Sequence, residues 1–377
     1  MAGPGDDDKL AENWNPGGGA DGEVSADWAA MLEAEPAKAQ AVFEKALAAD
    51  PKSIAARLGI ASALEAQDKL AEAKASLEST LKDAPATLGL RERLAQVALR
   101  LGDKNEALAR FQEETKAGHP TPELRLAVAE LALDLDKIEL AQSESKKVLD
   151  ESPRSAEAAY VMARVHEAHN EIGTALTEYR HATSWGNTPQ FSLAYARLLE
   201  KVGKTNEALA VYANAVSLPE GRMNRGRILF RAGDVEGALA DFQAAAKITP
   251  SDPEPLILEG LCFDKIGQSS KAEDAWRMAL KVDPEAPEPH YRLGRTELDR
   301  AKPSAAIEHF RKAAAKVPDK APWRTDLYFQ LAQAELLTGA KAAALADFKK
   351  YLEIAPNNAP ARTEAMQQVA RLGGGKK

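Results

Sequence analysis

Four arginines, Arg222, Arg225, Arg227 and Arg231, stand within ten positions of "GRMNRGRILFRAGD" (221–234), and no acid appears there until Asp234. A planar guanidinium pairs bidentately with carboxylates and phosphates, so such a cluster is chemistry for holding an anion. Catalytic chemistry is harder to find. "HEAHN" (His166, Glu167, His169) approaches the H-E-x-x-H metalloprotease pattern, but its histidines are three apart and it reads as polar helix surface. "GKT" (Gly203, Lys204, Thr205) ends like a phosphate loop, yet Leu198 replaces the required glycine, which leaves a turn between helices. Asp6, Asp7 and Asp8 form an acidic run best read as solvated, although "DDDK" also resembles part of an expression-tag protease site. His119, His181, His290 and His309 make no spaced cluster. Cys262, the single cysteine, lies in apolar "PLILEGLCF" and is expected to be buried and inert. No enzyme, metal site or cofactor is expected.

The elements that position the arginines follow from composition and spacing. The 377 residues are 45% hydrophobic but only 6% aromatic and rich in alanine, which suits close helix packing and predicts an all-α protein. No apolar run is long enough to cross a membrane, and the acidic, polar N-terminus lacks the basic start of a secretory signal, so a cytoplasmic location is expected. The net charge of -8 is confined to the first 35 residues, which hold nine acids and Lys9; the rest of the chain is balanced.

An alanine followed four residues later by a large side chain recurs as Ala39/Phe43, Ala73/Leu77, Ala107/Phe111, Ala175/Tyr179, Ala208/Tyr212, Ala238/Phe242, Ala272/Trp276, Ala306/Phe310 and Ala344/Phe348, with Ala141/Ser145 as a weak member. Twelve residues after the alanine comes proline in seven of these ten units (Pro51, Pro85, Pro153, Pro250, Pro284, Pro318, Pro356), marking joints that a helix cannot continue through. Twelve residues before it stands a small residue: Ala61, Ala95, Ala129, Ala163, Ala196, Gly226, Gly260, Gly294 or Ala332. Five residues before it, Gly102, Gly203, Gly233, Gly267 and Gly339 suit a helix C-terminus with positive φ. The unit is helix, turn, helix. Steps between alanines are 34 residues except 175 to 208, 208 to 238 and 306 to 344, so a helix or loop is shortened near 208–238 and lengthened near 306–344.

These residues and offsets resemble the tetratricopeptide repeat family over roughly residues 26–371. The resemblance implies a right-handed superhelical solenoid of about nine to ten helix pairs, with first helices lining a concave groove. The expected organisation is an acidic Gly/Pro-rich disordered tail (1–24), the array (25–357), and a capping helix with a flexible basic end (358–377). The first helix of the first unit, around "SADWAAMLEAE", is a poor one.

The resemblance directs the residue eleven before each alanine into the groove. It is Arg164, Arg197, Arg227 and Arg295 in four units, and Ser62, Gln96, Glu130, Leu261 and Gln333 in the others. Arg93, Arg100, Tyr160, Asn224, Arg231, Tyr291 and Arg292 fall on the same surface. One reading is a basic ladder for an acidic protein or peptide; the other is neutralisation by acids such as Glu157, Glu167, Glu200, Glu288 and Asp299. The expected function is a non-enzymatic scaffold or adaptor that binds a peptide or protein segment. Alternatives are an assembly or localisation factor for a larger machine, such as a secretion, pilus or motility complex, and a nucleic-acid binder, which the pI near 5.5 argues against. The acidic tail, through "KLAENW", is a candidate competitor for the groove.

Overall fold

The computed structural model describes residues 26–118 and 120–373, so the acidic tail, "KLAENW", His119 and the terminal glycine-lysine run lie outside the described residues. Among the described residues all regular structure is helical, and the chain divides into two compact units at Asn187/Thr188. The first unit pairs α1 (Ala26–Ala34) with α2 (Pro36–Ala49), α3 (Ile54–Ala66) with α4 (Leu70–Asp83), α5 (Leu90–Arg100) with α6 (Lys104–Ala117), α7 (Pro122–Asp134) with α8 (Ile138–Glu151), and α9 (Ala156–Ala168) with α10 (Ile172–Trp185). The second pairs α11 (Pro189–Lys201) with α12 (Thr205–Tyr212), α13 (Pro219–Ala232) with α14 (Val235–Ile248), α15 (Glu254–Lys265) with α16 (Ser269–Val282), α17 (Pro287–Asp299) with α18 (Pro303–Lys316), and α19 (Arg324–Leu337) with α20 (Lys341–Ile354); α21 (Arg362–Gly373) follows. Within each unit every second helix also packs on the first helix of the next pair.

The repeat register explains why these helices meet. All ten register alanines are fully buried, and the large side chains four residues on, including Tyr179, Tyr212, Phe242, Trp276, Phe310 and Phe348, are core. The small residue opposite makes room for them: a Cβ on Gly260 would lie 2.2 Å from the Trp276 indole, and one on Gly294 would lie 2.6 Å from the Phe310 ring. At the turn, the residue five before the alanine has positive φ in all nine complete units, whether it is glycine or Asp68, Asp136, Asn170 or Ala301. The amide of the residue after it reaches back over the helix end, as in Asp234 N–H to the Leu229 carbonyl at 3.0 Å and Lys302 N–H to Glu297 at 2.9 Å, satisfying carbonyls that the helix leaves open.

Both irregular steps have a local form. In the short repeat α12 is only eight residues and closes in a 3₁₀ turn (Ala213–Ala215). There α13 approaches so closely that a Cβ on Gly221 would sit 2.1 Å from the Ala215 carbonyl oxygen. The longer step inserts residues between α18 and α19 and brings in Trp323, which is buried and stacks on Tyr291 (4.9 Å, 14°). α1 does form, with Met31 and Leu32 packed on the Ala39/Val42/Phe43 cluster. α21 covers Phe348 and Tyr351 with Ala365 and Val369, as a terminal helix must to close the last core layer.

Candidate functional site

A one-residue change of register separates core from surface on the first helices. The residue twelve before each alanine is buried in all nine units, whereas its successor, Ser62, Gln96, Glu130, Arg164, Arg197, Arg227, Leu261, Arg295 or Gln333, is exposed or half-buried. These side chains share one face of each first helix and define the candidate surface.

Most of its arginines are engaged by carboxylates. Arg197 contacts Glu220, and Arg227 reaches Glu254 at 2.6 Å and Asn224 Oδ1 at 3.0 Å; each acid sits in the first turn of the next first helix, where the helix dipole favours negative charge. Arg231 bonds Glu200 (2.6 Å), Arg100 bonds Asp68 (2.9 Å), and Arg93 bonds both Glu65 (2.9 Å) and Ser62 Oγ (2.6 Å). Arg164 lies 3.4 Å from Asp134 and over the Tyr160 ring at 5.9 Å. Arg292 bonds Glu288 (2.8 Å) and lies 5.2 Å from the centre of the Tyr291 ring. Of the acids named from sequence, Glu200 and Glu288 contact arginines directly and Asp299 attracts Arg295 through space; Glu220, Glu254, Asp134, Glu65 and Asp68 were not anticipated.

Arg295 departs from this pattern. The acid at the position equivalent to Glu220 and Glu254 is Asp326, but the Tyr291 hydroxyl donates to Asp326 at 2.5 Å and Gln330 donates to its other oxygen at 3.3 Å. Burial, and then the hydrogen bond to Asp326, push the Tyr291 phenol well above its ordinary pKa, so it stays a donor. Among the described residues no carboxylate oxygen lies within 4.0 Å of the Arg295 guanidinium, which rests 6.0 Å from the Tyr291 ring centre on an exposed residue.

Leu261, the apolar member of the same row, opens on a cavity of about 370 Å³. Its walls are Phe230, Leu258 and Leu261 with Phe242 beneath, and its rim is Glu200, Arg227 and Arg231. Three consecutive first helices, α11, α13 and α15, contribute to it. The rim is held in place: Glu200 accepts from Arg231 and from the Tyr212 hydroxyl (3.2 Å), whose pKa burial and Glu200 push up to about 12. An apolar pocket with a few fixed polar groups at its mouth is the form of site that takes one large side chain. Phe230, Leu258 and Leu261 were missed as site residues because an apolar run on a helix reads as core. The usable signal was Leu261 interrupting a row otherwise made of arginine and other polar residues.

The other two arginines of the cluster belong to the fold. Arg225 grips Asp241 of α14 with two bonds (2.7 and 2.6 Å), and Arg222 adds a third at 3.5 Å. Asp241 is 1% exposed, so this ion pair replaces the apolar contact that most other repeats make at the Arg225 position. Breaking one side of such a pair would leave a buried charge unpaired, at a cost of about 3 to 5 kcal/mol.

His166 Nδ1 lies 2.6 Å from Glu171, and His169 caps α9. Gly203 takes φ 81° in the turn between α11 and α12, with Lys204 and Thr205 starting the next helix. Cys262 is fully buried, and burial pushes its thiol up to about 12. Two further cavities lie where a second helix meets the following first helix, and another lies between α3 and its own second helix α4; the one between α14, α15 and α16, lined by Met278 and Leu256, has a volume of about 460 Å³.

Family profiles described as Tetratricopeptide repeat match residues 30–91, and 193–253, 258–321 and 291–359, together more than half of the chain. No curated protein sequence matches. Among solved structures, a tetratricopeptide repeat protein from Parabacteroides merdae superposes with a TM-score of 0.43 at 15% identity, over 67% of this chain and 98% of that one. YrrB, described as a TPR protein with an unusual peptide-binding site, gives 0.40 at 20% identity over 48% of this chain and 95% of that one. The human IFIT1 dimer with m7Gppp-AAAA gives 0.40 at 15% identity over 93% and 86%. No described helix is long and apolar enough to cross a membrane.

Proposed function

The chain belongs to the tetratricopeptide repeat family, and from that premise we propose that it is a non-enzymatic cytoplasmic scaffold whose first helices hold a peptide segment of a protein partner. The observation that carries this reading is the cavity bounded by Phe230, Leu258 and Leu261. It is an apolar opening on the one helix face that is otherwise polar, placed where the row of arginines is interrupted. An extended segment crossing α13, α15 and α17 would seat a large side chain there and meet charged groups on either side. The ion pairs along the row do not obstruct this. Exposed pairs contribute only about 0 to 1 kcal/mol each, so a partner carboxylate can displace one at little cost. The same pairing disfavours a phosphate backbone as ligand, because most of the basic charge is already balanced by neighbouring acids.

Selection of random twelve-residue peptides displayed on phage tests the proposal. Wild-type protein is expected to enrich peptides with a large apolar residue, and Leu261→Glu, with an unchanged melting curve, is expected to bind them at least tenfold more weakly. Failure to enrich any peptide, or enriched peptides that bind Leu261→Glu equally well, would refute it.

A further inference from the structure

Arg197, Arg227 and Arg295 occupy the same register position on three first helices, and each has an acid available at the start of the next one. Arg197 and Arg227 use theirs, Glu220 and Glu254. Arg295 does not, because Tyr291 on its own helix holds Asp326 at 2.5 Å and Gln330 holds its second oxygen. Tyr291 is itself fixed, with Trp323 stacked on one side at 4.9 Å and Arg292 near its ring at 5.2 Å, so the sequestration of Asp326 is built into the packing. The result is an exposed arginine that bonds the Tyr291 phenol and that Asp326 and Asp299 attract through space, but that no carboxylate contacts directly.

The register then adds distance. Leu261 of α15 and Arg295 of α17 stand at equivalent positions of neighbouring pairs that both pack on α16; directly packed helices lie roughly 10 Å apart, which is the least distance between the two positions. An extended chain covers about 3.3 Å per residue, so roughly three residues of peptide is the shortest span between a side chain in the Leu258/Leu261 pocket and one that meets Arg295.

We propose that Arg295 is a carboxylate receptor and that the preferred ligand is an extended peptide carrying a large apolar side chain with an aspartate or glutamate three residues away. The inference rests on the peptide-holding reading above and names its ligand class. A planar guanidinium with both outer nitrogens unclaimed by acids can accept a carboxylate side-on, which a paired arginine can do only after losing its partner. Tyr291 thus acts as a positioning residue, keeping Asp326 away from the guanidinium.

The test uses fluorescence polarisation with fluorescein-labelled Gly/Ser dodecapeptides bearing one Phe and one Asp, the Asp placed three residues before or three residues after the Phe. Matched peptides carry Asn at the same place or Asp next to the Phe. One of the two three-residue spacings is expected to bind wild-type protein about tenfold more tightly than its Asn counterpart and than the adjacent-Asp peptide, a difference of about 1.4 kcal/mol. Arg295→Gln should abolish that preference while leaving the affinity of the Asn peptide unchanged, and Arg197→Gln should leave it intact. Tyr291→Phe frees Asp326 to pair with Arg295, and should therefore reduce the preference although Arg295 remains. Equal binding of Asp and Asn peptides, or a preference that survives Arg295→Gln, would overturn the proposal while leaving the apolar pocket standing. Binding of none of these peptides, together with failure of the phage selection, would overturn both readings.

Discussion

Ala301 occupies the turn position that glycine takes in five other repeats, with φ 56°. The left-handed conformation costs an alanine about 1 to 2 kcal/mol, against about 0.4 to 1 kcal/mol for the extra freedom glycine brings to the unfolded chain. Ala301→Gly should therefore stabilise the protein by about 0.5 to 1 kcal/mol, raising its melting temperature by about 2 °C. Asp136→Gly should gain less, because short polar side chains tolerate this region. A calorimetric scan in which Ala301→Gly melts at or below the parent would show the turn to be unstrained. Histidine chemistry sets a second expectation. His290, 3% exposed, donates from Nε2 to the Pro284 carbonyl (3.0 Å), which leaves its Nδ1 to accept from His309 Nδ1 at 3.0 Å. Burial lowers both pKa values, and for His309 the neighbouring His290 lowers it further; Lys312 adds to the effect on both and Arg277 to that on His309, while the Pro284 carbonyl, Glu285 and Asp283 oppose it at His290 and Glu297 at His309. Folded values below the ordinary 6.5 mean that the neutral pair contributes its full stability above pH 6.5 and loses it as pH falls through the depressed values. Melting temperature should drop between pH 7 and 5, and His309→Gln should roughly halve that drop; an unaltered pH profile in the variant would exclude the pair as its origin.

Helix pairing depends on matched volumes. Trp276 is the largest side chain in the repeating aromatic slot and faces Gly260, with its indole N–H directed at the Ile257 carbonyl (3.3 Å). Gly260→Ala gains helix propensity of about 1 kcal/mol but forces a methyl into the indole, and overpacking of this kind costs about 1 to 3 kcal/mol. We expect a net loss in urea titration, partly recovered by adding Trp276→Phe, since Ala332 faces Phe348 in the last pair. Simple additivity of the two substitutions would argue against direct contact as the cause. This match was legible in the sequence, because small residue, alanine and aromatic recur at fixed offsets and each offset has one geometric meaning. What Arg222 and Arg225 do was not. Their partner Asp241 lies 16 to 19 residues away on the other helix of the pair, at a position that also carries Arg110, Glu144, Glu178 and Asp347 in other repeats, so a charge there, of either sign, does not by itself name its partner. The withheld acid at Asp326 was equally hidden, since it depends on which of two neighbouring donors reaches the carboxylate first.

Across the whole molecule, each unit's apolar core is divided into clusters that join only neighbouring helices, so stability is distributed along the chain and little of it rests on any one site. Such an architecture leaves the first-helix face free to vary, and among the described residues that face holds paired arginines, an apolar opening and, at Arg295, an arginine that no carboxylate contacts directly. The central claim is that this face, rather than the clefts beside the second helices, receives the ligand. A photo-reactive benzoylphenylalanine placed either at exposed Arg231, on the rim of the Leu258/Leu261 cavity, or at exposed Met278, on the second-helix cavity, distinguishes the two directly. With a peptide recovered from the phage selection, irradiation should crosslink the protein labelled at 231 and not the protein labelled at 278; crosslinking at 278 alone, or equally at both, would contradict the account.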